Sequence, residues 1–102
     1  MMTTATPTTY PAGTTVRFWA KDLMKLGLTA TPAPVTTGAT VAFALATLNG
    51  ETVGSGSGVV TEDDWYCDLN VPDDPGPYQV KVTITVGSVV WKGSDRFDVS
   101  AF

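Results

Sequence analysis

The chain has 102 residues, of which 43% are hydrophobic and 16% charged, with a formal net charge of −4. One domain of this length holds a single core and no more. The six basic residues form no run, which argues against nucleic-acid binding, and no apolar stretch approaches the ~20 residues that cross a membrane as a helix.

Seventeen threonines, ten glycines and seven prolines favour pleated strands and turns over helices. Residues 1–14, mostly Thr, Ala and Pro, read as an extended N-terminal arm outside the domain, and Tyr10 is their one aromatic group, suited to contact with a partner. The sandwich domain is assigned to residues 15–102. No basic region or apolar run opens the chain, so it is expected to be made in a cytoplasm without a signal peptide.

The first strand spans Thr15 to Lys21, with Val16, Phe18 and Ala20 alternating with Arg17, Trp19 and Lys21. Asp22 to Leu28 reads as one helical turn or as a bulged loop ending at Gly27. Thr29 to Gly38 contains Pro32 and Pro34 and reads as an irregular crossover or edge segment. Ala39 to Leu48 is the second strand, and Asn49-Gly50 signals a hairpin returning through Glu51 to Gly54. Ser55-Gly56-Ser57-Gly58 reads as a flexible link.

Val59 to Thr61 and Asp64 to Val71 continue the pattern, with Trp65, Cys67, Leu69 and Val71 on one face. The clearest strand begins at Tyr78 and carries Val80, Val82, Ile84 and Val86 on one side, and Gly87-Ser88 turns it. Val89 to Lys92 and Arg96 to Phe102 complete about seven short, mainly antiparallel strands, the expectation for an all-β, immunoglobulin-like sandwich without a disulfide. With no helix for a crossover, parallel pairing is not expected. Tyr78, in Asp74-x-Gly76-x-Tyr78, matches the corner tyrosine of such domains, whose hydroxyl bonds back to nearby backbone. The predicted core is Phe18, Val41, Phe43, Leu45, Leu69, Tyr78, Val80, Val82, Ile84, Phe97 and Val99.

Catalytic chemistry is not expected. The chain has no His and one Cys, which removes the commonest general base and any zinc site, and Cys67 lies in an apolar row. Glu62-Asp63-Asp64, Asp73-Asp74 and Asp95 fall in turns, in no spacing that makes a calcium loop. No cofactor and no metal follow from this composition. Trp19, Tyr66 and Trp91 are expected on faces opposite the main apolar rows. Three readings of these rings stay open: anchors in a protein interface, a platform for sugars, or local cross-strand pairs.

Val16-Arg17-Phe18, Ala39-Thr40-Val41-Ala42-Phe43, the stretch Trp65 to Tyr78 and the ending Val90 to Val99 resemble small immunoglobulin-like structural proteins of tailed phages, notably phages of actinobacteria. The resemblance covers about residues 15–100. It implies a virion protein, multimeric in the particle, that decorates the capsid and contacts the major capsid protein or other virion proteins; a neck or tail position and a carbohydrate-binding module are the alternatives. Asp22 to Leu28 departs from the expected polar turn, so Leu23, Met24 and Leu26 join Trp19, Trp91 and Tyr10 as candidate partner-binding residues.

Overall fold

A computed structural model describes residues 8–24, 39–61 and 64–102, with Lys21 and Met24 described in their backbone only. Eight strands and one short helix follow in order: β1 (Thr8–Pro11), β2 (Thr15–Trp19), α1 (Ala20–Met24), β3 (Thr40–Thr47), β4 (Thr52–Ser57), β5 (Val59–Val60), β6 (Trp65–Asn70), β7 (Gly76–Val86) and β8 (Val89–Ser100). They build two sheets, one of five strands in the order β1-β8-β7-β3-β4 and one of three in the order β2-β6-β5. The protein is a β-sandwich, and its strand order is compatible with the immunoglobulin-like topology.

Period-two patterning decides which side chains meet between the sheets. Across β3 and β7, Val41 faces Ile84, Phe43 faces Val82 and Leu45 faces Val80, and all six are at most 6% exposed. Phe18 of β2 and Trp65, Cys67 and Leu69 of β6 close the core from the other sheet. Every one of the eleven predicted core residues is buried. Filling the core with such side chains contributes roughly 1.5–3 kcal/mol each, the term that offsets chain entropy in a domain without a disulfide. Tyr78 donates its hydroxyl to the Asp74 carbonyl at 2.8 Å, the bond expected of the corner tyrosine, and its ring stacks on Phe97 at 5.8 Å between centroids.

Several sequence expectations are corrected. Parallel pairing is present: β1 runs parallel to β8, from Thr8 opposite Phe97 to Pro11 opposite Ser100. No crossover helix is needed, because the two strands lie at opposite ends of the chain and the rest of the domain forms the connection. The arm boundary at residue 14 therefore falls inside the sandwich. The Ala12 N–H donates to the Ser100 carbonyl and the Val71 N–H to the Thr14 carbonyl, so residues 12–14 carry the chain from the edge of one sheet to the edge of the other.

The Ser-Gly stretch is not a loose link. Ser55 and Ser57 of β4 pair with Ala44 and Ala42 of β3, and the Gly58 N–H donates to the Val41 carbonyl at 2.7 Å before β5 joins the opposite sheet. A Cβ at Gly58 would stand 2.7 Å from Val41 Cγ1, and one at Gly56 would stand 2.7 Å from Cys67 Sγ. These glycines let the backbone lie directly on the core as the chain changes sheets.

The Asn49-Gly50 hairpin closes as a three-residue loop, with Thr47 and Glu51 bonded across its base and Gly50 at φ +96°. The two C-terminal strand segments are one continuous strand, β8, paired with β7 along its length. Of the alternatives for residues 22–28, a helical turn forms over Ala20–Met24, which also shortens the first strand by two residues.

Candidate functional site

The outward face of the three-stranded sheet carries three cross-strand pairs between β2 and β6, with exposed Val59 of β5 opposite Tyr66. Register sets Thr15 opposite Asn70, Arg17 opposite Asp68 and Trp19 opposite Tyr66, while the intervening Phe18, Cys67 and Leu69 point into the core. Thr15 donates its hydroxyl to the Asn70 side-chain oxygen. Arg17 grips Asp68 with two hydrogen bonds, Nε to Oδ1 at 2.8 Å and the terminal amino group to Oδ2 at 3.0 Å. The same guanidinium lies 3.9 Å from the centroid of the Tyr66 ring, and Tyr66 packs on Trp19 at 5.2 Å with the planes tilted by 54°.

The hydrogen bonds from Arg17 hold the Asp68 carboxyl below the usual carboxylate range, and the bond to Asp68 raises the Arg17 guanidinium above its ordinary value. Both members of the pair stay charged across the physiological range. The fork geometry fixes two long side chains that would otherwise sample many rotamers. The result is a pre-ordered row of Arg, Tyr and Trp, the residue types that anchor protein interfaces.

Beside this face, a cleft of about 230 Å³ opens where β1, β2, α1 and β8 meet, with Tyr10, Trp19, Asp22, Leu23, Asp95 and Arg96 in its lining. The Tyr10 hydroxyl is pushed above its ordinary pKa, first by burial and then by the negative charge of Asp95. Cys67, the free cysteine, is buried, and burial followed by nearby Asp68 pushes its thiol up, away from the thiolate that nucleophilic attack requires. Among the described residues, no three His, Cys, Asp or Glu side chains gather as a metal site, and no helix is long and apolar enough to cross a membrane.

The candidate contact residues do not form one surface. Trp19 lies in the aromatic row. Leu23 is 4% exposed: with Ala20 one turn earlier on α1 it plugs the space between the sheets and is a core residue, not a contact. The Met24 side chain, Leu26 and the Pro32/Pro34 crossover lie outside the described residues, as do Glu62 and Asp63. Tyr10 turns inward, edge-on to Phe18 at 6.2 Å and to Phe97 at 5.8 Å. Trp91 sits opposite Ile84 on the inner face and packs against the core, correcting its placement on an outer face.

Tyr66 is legible as an outward aromatic, but Arg17 and Asp68 escape selection in the sequence because 51 positions separate them and only antiparallel register brings them together. The basic residues are scattered only along the chain. Lys81, Lys92 and Arg96 share the outward face of the five-stranded sheet, on the adjacent strands β7 and β8. Comparison of the chain with family models, with curated proteins and with solved structures finds no match.

Proposed function

We propose that this chain is a structural virion protein of a tailed phage that acts by protein–protein contact, with capsid decoration as its role. The observation that carries the reading is the outer face of the three-stranded sheet. Arg17, Asp68, Tyr66 and Trp19 are held there in fixed mutual geometry. Such a surface binds and does not catalyse. The resemblance at residues 15–100 supplies the virion context, and a repeating lattice makes modest contacts effective through avidity. The partners are the major capsid protein or neighbouring virion proteins.

A neck or tail position uses the same chemistry with a lower copy number. The carbohydrate-binding alternative retains Trp19 and Tyr66 but loses Trp91, which is packed on the inner face of the other sheet. The test is the protein's copy number in purified particles, by quantitative mass spectrometry. Hundreds of copies support decoration, a single ring's worth indicates the neck or tail, and absence from the particle overturns the reading.

A further inference from the structure

We propose that the outward face of the five-stranded sheet, carrying Lys81, Lys92 and Arg96 above rows of Ala, Ser and Thr, docks on a carboxylate-rich surface of a neighbouring virion protein; this rests on the virion reading above. The charge distribution is the first argument. The chain has ten acidic and six basic residues, yet three of the basic ones stand on this face. Lys81 is paired with Ser94, Thr83 with Lys92 and Gln79 with Arg96, so the cations are diagonal neighbours across β7 and β8. Among the described acidic residues Asp98 alone shares the face, 3.8 Å from Arg96. Asp95, one residue before Arg96, belongs to the inner face opposite Val80. Like charges gathered on one sheet face of an acidic protein make a positive patch that complements an anionic partner.

Shape is the second argument. On β3 and β4 the same face carries Ala42, Ala44, Ser55 and Ser57, none of which rises far above the backbone. The β3 and β4 part of the face is a low shelf beside the three cations, exposed Val90 stands on the same face opposite Thr85, and a depression of about 360 Å³ lies between Lys81 and Lys92, with Thr83 and Ser94 in its lining. A partner's backbone can approach the shelf closely while its Asp and Glu side chains reach the cations.

Three cations favour a protein partner over nucleic acid. A duplex-binding protein commonly neutralises about 6–10 phosphates, and a face with half that number or fewer holds DNA poorly at physiological salt. Against a lattice of identical acidic patches the same three charges act in many copies together. The two outer faces of the sandwich then have different tasks, the aromatic row for desolvated contact and the basic shelf for steering and register.

The test uses particles of the encoding phage, assembled with wild-type protein, with the Lys81→Glu, Lys92→Glu, Arg96→Glu triple variant, or with the Gln counterpart of that triple variant. Occupancy per particle is read by quantitative mass spectrometry, and circular dichroism and melting verify that each variant folds. Wild-type protein is expected in the particle and released by rising salt. The Glu variant should lose occupancy about tenfold or more, and the Gln variant should fall between the two. Wild-type absence from particles overturns the virion reading and this proposal with it. Wild-type presence with undiminished Glu variant overturns the proposal alone. Two controls on purified protein name other occupants: self-association abolished by the Glu variant would make the partner a second copy, and DNA binding abolished by it would make the partner a nucleic acid, and either result overturns the acidic-protein assignment.

Discussion

Replacing Gly58 by Ala tests whether the Ser-Gly stretch is part of the core or a tether. The added methyl would stand 2.7 Å from Val41 Cγ1, 2.8 Å from Val41 Cβ and 3.2 Å from Phe43 Cε1. Carbon atoms pack comfortably at about 3.5–4.0 Å, so neighbours must yield by close to an ångström. Val41 has little room to do so: its β-branched side chain has few χ1 choices, and its carbonyl accepts the Gly58 N–H at 2.7 Å, which holds the two backbones together. Overpacking of this kind costs about 1–3 kcal/mol. The stiffer unfolded chain of the Ala variant returns about 0.4–1 kcal/mol. A net loss of about 1–2 kcal/mol is expected, which for a domain near this size lowers the melting temperature by roughly 4–16 °C. Gly54→Ala is the internal control. Its Cβ would lie 3.8 Å from Leu45 Cδ1, an ordinary contact, so this change should be neutral or stabilise by up to about 0.5–1 kcal/mol. Urea unfolding followed by tryptophan fluorescence measures both. Adding Val41→Ala to Gly58→Ala should cost less than the two changes summed, since the first makes room for the second. Equal midpoints for wild type and Gly58→Ala, or equal losses at Gly54 and Gly58, would refute the close-approach reasoning.

Tyr78→Phe removes the hydroxyl bonded to the Asp74 carbonyl and should destabilise by about 1 kcal/mol in the same urea assay; an unchanged midpoint would mean that the corner bond adds nothing. Tyr10→Ala removes ring contacts with Phe18 and Phe97 at the β1 edge and should lower stability by about 1–2 kcal/mol, less than a fully buried aromatic would cost; an unaltered melt would show β1 to be dispensable. Tyr10 and Cys67 both hold their protons more tightly folded than unfolded. Their contributions are therefore present below the unfolded pKa values and lost as pH rises through the folded ones, so the urea midpoint should fall in the alkaline range, and less so in a Tyr10→Phe, Cys67→Ala double variant. Asp68, held low by Arg17, works in the opposite direction. Its contribution is present above the unfolded carboxylate range and lost as pH falls through the folded value, so Asp68→Asn should flatten the acid limb of the pH profile.

The β class, the core positions and the corner tyrosine were legible in the residues themselves. Alternation such as Val80, Val82 and Ile84 against Lys81 and Thr83 has one physical solution, a strand with one face buried, and burial follows from side-chain chemistry without knowledge of the neighbouring strand. Tyr78 could be placed for the same reason, because its bond to Asp74 spans four residues and is local.

What depends on which strands meet could not be read in advance. A strand break at Gly93 to Asp95 separates Trp91 from the Phe97 row in the sequence pattern and leaves its face undetermined. Along the uninterrupted β8 it lies an even number of residues from Phe97 and so shares Phe97's inward face. Leu23 resembled a surface group until α1 turned it with Ala20 between the sheets. Tyr10 and β1 gained their places only through a parallel partner at the far end of the chain. The Arg17–Asp68 clamp and the Lys81, Lys92 and Arg96 shelf are products of register, which pairs residues by position across a sheet regardless of their separation in sequence. Local periodicity determined what each strand buries, and only tertiary pairing decided what each outer face displays, because burial is a property of one residue's chemistry and a surface is a property of several strands at once.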